Sequence, residues 1–141
     1  MTAHEYVCHI RFSDVDVYGH VNNVKYFEYY QEARIDFFRS VRESDVSHFA
    51  TVVARIDVDY RRPILFRAEP YVVRTWVTRV GTSSYTLASD ISDGDTVLSR
   101  AEAVLVAFDT ATQRSRPLSE AERRVLESAL APDTGGTGQA T

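Results

Sequence analysis

At 141 residues and 16.0 kDa, with 44% apolar and 26% charged residues, the chain has the size and composition of one folded domain, which excludes disorder along its whole length. A net charge of −4 excludes a global basic field for gripping nucleic acid. No apolar run reaches the roughly 18–20 residues that span a bilayer, the single cysteine, Cys8, excludes an internal disulfide and a cysteine-based zinc site, and the amino terminus lacks the basic and apolar stretches of a secretion signal, so a reducing cytoplasm is the predicted setting.

Tyr6 to Phe12 alternates, with Tyr6, Cys8, Ile10 and Phe12 on one face, and reads as a half-buried strand. A polar, glycine-containing turn follows from Ser13 to Asn23. Val24 to about Arg42 contains no Gly or Pro and reads as a helix, with Asn22 or Asn23 as its N-cap. Apolar and aromatic residues occupy most of its circumference, which predicts burial on more than one side. At 1.5 Å per residue it would span on the order of 28 Å.

After a polar stretch from Glu43 to His48, alternation returns at 53–60, and Arg61-Arg62-Pro63 interrupts it. A long strand rich in Val, Thr and Tyr, with Trp76, runs from about Glu69 to Val80. Gly81-Thr82 turns into a strand over 84–92, and Asp93-Gly94-Asp95 signals a hairpin into the last long strand, 96–109. Ser119 and Glu122 form a capping box opening a short helix to about Leu130. Residues 1–131 read as one domain and 132–141, which lack any large apolar side chain for burial, as a disordered tail. Tightly joined strands imply an antiparallel meander. The predicted class is α+β: a curved antiparallel sheet wrapped around one long central helix, with exposed edges that invite a second subunit.

The chemistry is densest between Asp14 and Tyr26, where two carboxylates, a Gly, a His and two Asn sit between a strand end and a helix start. Free amides and the macrodipole at a helix start hold developing negative charge. Four readings compete. Asp14-x-Asp16 opens a calcium loop, but Lys25 stands where a bidentate Glu is required. The same pair suits a phosphoaspartate phosphatase, whose parallel strands are near-continuously apolar rather than alternating. Asp14, Asp16 and His20 are a metal set without further ligands, since His4, His9 and His48 are scattered. The fourth reading is hydrolysis of an activated acyl group. A thioester releases a thiolate whose conjugate acid has a pKa near ~8.5 by analogy with cysteine, so one carboxylate to activate water and amides on the carbonyl oxygen are sufficient. No G-x-S-x-G or H-E-x-x-H motif is present, and Cys8 lies on the apolar face of its strand.

The run Arg11-Phe-Ser-Asp-Val-Asp16-Val-Tyr-Gly-His20-Val-Asn-Asn23-Val-Lys-Tyr26 resembles the signature of the hotdog-fold acyl-CoA thioesterases of the 4-hydroxybenzoyl-CoA thioesterase-like family. The likeness continues through Arg34, Asp59-Tyr-Arg-Arg-Pro63 and Ala101 to Val106, and D-V-Y-x-H-V-N-N is closest to the long-chain acyl-CoA branch. The resemblance implies a hotdog fold, hydrolysis of an acyl-CoA to free acid and CoA, and neither cofactor nor metal. It places the catalytic carboxylate, as general base or nucleophile, on Asp16 and the carbonyl-polarising amide near Asn23. His20 and Asn22 would shape the turn or meet substrate, and Asp14 would organise it. Members with aromatic substrates carry other residues at the positions of His20, Asn22 and Asn23, so a fatty acyl group is implied.

Beside that resemblance, Arg61 and Arg62 suit CoA phosphates or a solvated strand end. Ser83 and Ser84 suit pantetheine or ordinary turn chemistry. Arg34 reads as a paired structural charge, and Glu28 and Glu32 as helix-surface or paired carboxylates. The expected assembly is a homodimer or homotetramer. The alternatives are a non-catalytic acyl-CoA-binding module and a thioesterase for acyl-carrier protein. A hydratase on the same scaffold needs an acid–base pairing that this sequence does not offer.

Overall fold

The computed structural model describes residues 3–42 and 50–131. The expected polar connection Glu43–His48 and the expected tail 132–141 lie outside the described residues. The elements in chain order are β1 (His4–Cys8), α1 (Asn23–Arg42), β2 (Thr51–Tyr60), β3 (Tyr71–Val80), β4 (Ser84–Asp93), β5 (Thr96–Asp109), β6 (Arg114–Ser115) and α2 (Glu120–Ser128). The main strands pair antiparallel in the order β1-β3-β4-β5-β2, and β6 pairs with the end of β5. One antiparallel sheet on one long helix is the hotdog arrangement that the resemblance implies.

Hairpin chemistry sets that order. Gly94 holds φ +60° between β4 and β5, a left-handed conformation that other residues adopt at a cost. Inward residues of β3 and β4, such as Val73, Val77, Leu87 and Ile91, are buried against α1. The helix answers with Tyr26, Tyr30, Ala33 and Phe37, spaced by three or four residues and all buried.

Three expectations are corrected. First, α1 buries one stripe rather than several sides. The sheet covers a single flank, and Val24 (65%) and Ile35 (44%) stay exposed in the chain. Second, the first strand is His4–Cys8 rather than 6–12. Ile10 stays buried, but the backbone tightens into a single turn at Phe12–Asp14, which swings Phe12 outward to 80% exposure. Third, α2 stops at Ser128 although its capping box forms as expected. Leu130 leaves to bridge Val77, with Val77 N–H donating to Ala129 O at 3.2 Å and Ala131 N–H to Val77 O at 2.8 Å.

The outward side of the sheet holds a feature absent from the sequence reading. Glu5, Arg74, Asp90, Arg100 and Asp59 fall in one cross-strand row, alternating in charge over all five main strands. Asp90 is buried and takes Arg74 in two-pronged fashion at 2.9 and 2.7 Å.

Candidate active site

The chain leaves β1 and folds back on itself before α1. Asp14 N–H donates to Arg11 O at 2.9 Å, and the Arg11 amide donates to Asp14 Oδ2 at 3.1 Å. Val15 then bridges Val21, Asp16 N–H donates to His20 O at 2.9 Å, and Gly19 N–H donates to Asp16 O at 3.0 Å. These bonds make a small closed loop with Val17 and Tyr18 at its tip. Gly19 sits at φ +77°, which explains the glycine. A second segment braces the loop: Val21 N–H donates to Ile64 O at 2.9 Å and Phe66 N–H to Gly19 O at 3.0 Å. Tyr71, the first residue of β3, fixes that segment by donating its hydroxyl to Leu65 O at 2.8 Å.

The two carboxylates of the motif part company. Asp16 is exposed, and its Oδ1 accepts the amides of Tyr18 at 2.9 Å and His20 at 3.1 Å. Its Oδ2 takes no hydrogen bond among the described residues, so one oxygen is fixed and the other is open to solvent. Asp14 is fully buried, and its Oδ2 accepts Tyr29 Oη at 2.7 Å and Arg11 Nε at 3.3 Å. Its Oδ1 takes no aligned hydrogen bond but lies 3.1 Å from Arg11 Nη2 and 4.0 Å from Lys25 Nζ. Burial pushes the Asp14 carboxyl up, yet the bonds from Tyr29 and Arg11 together with the charge of Arg11 outweigh it and hold the group below its ordinary range.

Asp14 also fixes the helix start, for Asn22 N–H donates to Asp14 O at 2.9 Å. Lys25 N–H turns back to Asn22 O at 2.9 Å, and α1 opens at Asn23. The amides of Asn23 and Val24 therefore stand in the first turn, where a helix offers no acceptor of its own. The expected side-chain cap is absent: among the described residues neither Asn22 nor Asn23 makes a side-chain hydrogen bond, and Asn22 caps through its carbonyl. His20 is exposed, with its ring 6.3 Å from that of Tyr18.

The remaining candidates divide. Tyr60 donates its hydroxyl to Asn23 O at 3.0 Å, which brings the adjacent Arg61 and Arg62 to the helix start. Both of their amides donate to Leu98 O at 3.0 Å, and both side chains are exposed. Ser83 and Ser84 lie at the other end of β3. Ten residues of strand, at about 3.3 Å each, put them roughly 30 Å from Tyr71 and the site loop. The chain by itself does not bring them to Asp16. Arg34, expected to be paired, has no ion-pair partner among the described residues, and burial lowers its guanidinium pKa. Glu28 meets Arg11 at 3.1 Å and Lys25 at 3.2 Å.

Thiol chemistry at Cys8 is weakened. Burial, reinforced by the charge of Asp14, pushes the Cys8 thiol up to about 12, which disarms it as a nucleophile at neutral pH. Among the described residues no group of three or more His, Cys, Asp or Glu is placed to hold a metal ion, and no helix is long and apolar enough to cross a membrane. Residues that sequence reasoning missed are Tyr29 and Tyr60. Their roles depend on contacts 15 and 37 positions away, which no local motif encodes. Phe12, Val17, Tyr18, Leu65 and Phe66 add an exposed apolar rim around the loop.

Comparison with known proteins places this geometry in context. A model of the thioesterase-like superfamily matches residues 10–128. The long-chain acyl-CoA thioesterase FadM of Escherichia coli is 30% identical over 124 residues, covering 84% of this chain and 92% of that protein. YsmA of Bacillus subtilis is 40% identical over 82 residues, which are 55% of this chain and 53% of that protein, about half its length. A thioesterase of Thermus thermophilus, solved with coenzyme A and zinc, superposes with a TM-score of 0.78 at 30% identity, covering 89% of this chain and 92% of that one. A predicted thioesterase of Bacillus stearothermophilus gives a TM-score of 0.80 at 24% identity over 91% and 96% of the two chains, a likeness of fold.

Proposed function

Because the chain belongs to the thioesterase-like superfamily, we propose that it hydrolyses an acyl-CoA, with a fatty acyl group, to the free acid and CoA. The observation that carries this reading is the half-occupied Asp16 carboxylate on the loop that leads into a helix start whose Asn23 and Val24 amides find no acceptor among the described residues. One Asp16 oxygen is locked by the Tyr18 and His20 amides, which leaves the other to act. The thioester carbonyl docks at the start of α1, where the Asn23 amide takes the oxygen as charge develops on it. Asp16 removes a proton from the attacking water, the acyl carbon–sulfur bond breaks, and the proton passes to the departing thiolate. Direct attack by Asp16, followed by hydrolysis of the anhydride, uses the same atoms.

Arg61 and Arg62 are suited to the CoA phosphates, being exposed and adjacent to Tyr60. The apolar rim suits the acyl chain. FadM, by name a long-chain acyl-CoA thioesterase, and the CoA-bound Thermus thermophilus enzyme support the substrate class. Ser83 and Ser84 reach such a site only from a second copy. The outer edge of β2, unpaired among the described residues and with Val52 and Val53 exposed, is suited to receive that copy in a homodimer. A homotetramer is two such dimers.

The test is thiol release from a panel of acyl-CoA esters, set beside the matching acyl-carrier-protein substrates. Asp16→Asn is expected to bind CoA esters nearly as the parent does and to turn over about 10² or more slower. An Asp16→Asn protein as fast as wild type sinks the assignment. Tight binding without thiol release by the wild type marks a binding module instead, and preference for the carrier-linked ester corrects the substrate.

A further inference from the structure

The buried carboxylate of Asp14 is not needed to accept a proton from water, yet it is the most heavily partnered acid of the site. It joins three parts of the molecule. Its backbone carbonyl takes the Asn22 amide at 2.9 Å, immediately before Asn23. Its Oδ2 takes the Tyr29 hydroxyl at 2.7 Å, six residues into α1. Its own segment reaches it through the Arg11 amide at 3.1 Å and the Arg11 guanidinium at 3.3 and 3.1 Å. Two residues further on stands Asp16.

We propose that Tyr29 and Arg11 are positioning residues: by clamping Asp14 they lock α1 to the loop, and so set the Asn23 amide against the Asp16 carboxylate. This inference rests on the reading of Asp16 and Asn23 given above. The physical basis is geometric. One end of the catalytic pair rides on the loop and the other on the helix, and Asp14 is bonded to both. Elsewhere α1 is held by its packing on the sheet and by the Tyr30 and Tyr60 hydroxyls. Those bonds run to Ser99 and from β2, not to the loop that carries Asp16, so loosening the clamp lets the amide shift against the carboxylate without unfolding anything. A misplacement on the order of 1 Å in such a site costs about 10² in rate. Arg11 is further tied to α1 by Glu28 at 3.1 Å, so the clamp closes on the helix from two directions.

The neighbouring tyrosine supplies a matched control. Tyr30 is also buried and also donates a 2.7 Å hydrogen bond, but to Ser99 Oγ rather than Asp14. Tyr29→Phe and Tyr30→Phe each delete one hydroxyl of equal bond length from adjacent positions of one helix. For Tyr29→Phe the expected result is a kcat about tenfold lower with KM within twofold. For Tyr30→Phe it is a lower melting temperature with kcat unchanged.

The pH profile separates the two further. Without the Tyr29 hydroxyl, burial is opposed by fewer bonds, and Asp14 takes up its proton at a higher pH. The charged and titratable groups facing it are Arg11 from its own turn, Lys25 and Tyr29 from α1, and Cys8 from β1, with Glu28 of α1 behind them on Arg11 and Lys25. All except Tyr29 are the same in both variants. The acid loss of kcat should therefore start at a higher pH in Tyr29→Phe and stay at the wild-type position in Tyr30→Phe.

Should Tyr29→Phe fail to fold, Arg11→Gln takes its place. Arg11 is on the surface, and this variant keeps the backbone amide bond to Asp14. Its expected loss is about threefold in kcat. A variant of the clamp with wild-type kcat and acid limb, or a Tyr30→Phe protein that loses kcat and shifts its limb equally, overturns the inference. An Asp16→Asn enzyme at full activity overturns the underlying mechanism instead, so the two failures are distinguishable.

Discussion

Gly19→Ala tests how firmly the site loop is held. Gly19 sits at φ +77°, and a Cβ built there meets no atom within 4 Å. Contact therefore contributes nothing, and the whole cost is left-handed backbone strain, about 1–2 kcal/mol for an L-residue. The loop has two ways to respond: keep its shape and carry the strain, or relax and lose its bonds. Relaxing gives up Asp16 N–H to His20 O, Gly19 N–H to Asp16 O and Phe66 N–H to Gly19 O, each worth roughly 1 kcal/mol. It also frees the two amides on Asp16 Oδ1, bonds to a charged group worth about 1.5–3 kcal/mol each. The bonds exceed the strain, so the loop holds. The alanine variant should melt about 3–10 °C lower with kcat/KM within twofold of wild type at 25 °C. Gly19→Asn, whose side chain tolerates the left-handed region, should melt between the two. Scanning calorimetry and the thiol-release assay measure both quantities. A Gly19→Ala protein with an unchanged melting temperature and a tenfold loss of kcat/KM refutes the reasoning, because the loop has then opened.

Two further outcomes follow from the ionisable groups. Glu122 is buried and held below its ordinary 4.5, first by the paired guanidinium of Arg116 at 2.8 and 2.8 Å. Its stabilisation is complete above that ordinary value and is lost as pH falls through the lower folded one. Arg116→Gln should cost about 2–4 kcal/mol at pH 7 and much less once Glu122 is protonated; an equal penalty in urea melts at both pH values refutes the assignment. Cys8, its thiol raised to about 12, should react with iodoacetamide at pH 8 at least about 10²-fold slower in the native protein than in urea, and equal labelling rates would show that the thiol is accessible.

Legibility in the sequence followed the range of the contacts. β4 and β5 were readable because Asp93-Gly94-Asp95 is a local hairpin signal, and the start of α2 because Ser119 and Glu122 satisfy each other within four residues. The end of β1 was misplaced because alternation continues through Phe12 while the backbone has already turned under Asp14. The row Glu5–Arg74–Asp90–Arg100–Asp59 was invisible because each charge lies on a different strand and only the pairing register aligns them. In the site, the motif located Asp16, His20 and Asn23 on one short loop and helix start. Tyr29 read only as one of the apolar and aromatic residues spread over most of the helix circumference, although its hydroxyl is what meets Asp14.

Under the proposed mechanism, the separation of Asp14 from Asp16 gives a reason for two carboxylates where the chemistry would use one. A proton acceptor must keep an unoccupied oxygen and a path for water. Those are the properties that make a carboxylate a poor structural anchor, since an exposed, half-bonded acid constrains little. An anchor must be buried and neutralised, which Asp14 achieves with Tyr29 and Arg11 at the cost of any access to substrate. One residue cannot meet both demands. Placing the acids two positions apart sends one side chain inward under α1 and leaves the other on the loop, while the carbonyl of the inner residue still reaches the Asn22 amide. On that proposal the spacing D-x-D encodes a division of labour: the first acid would hold the helix where the second can use it.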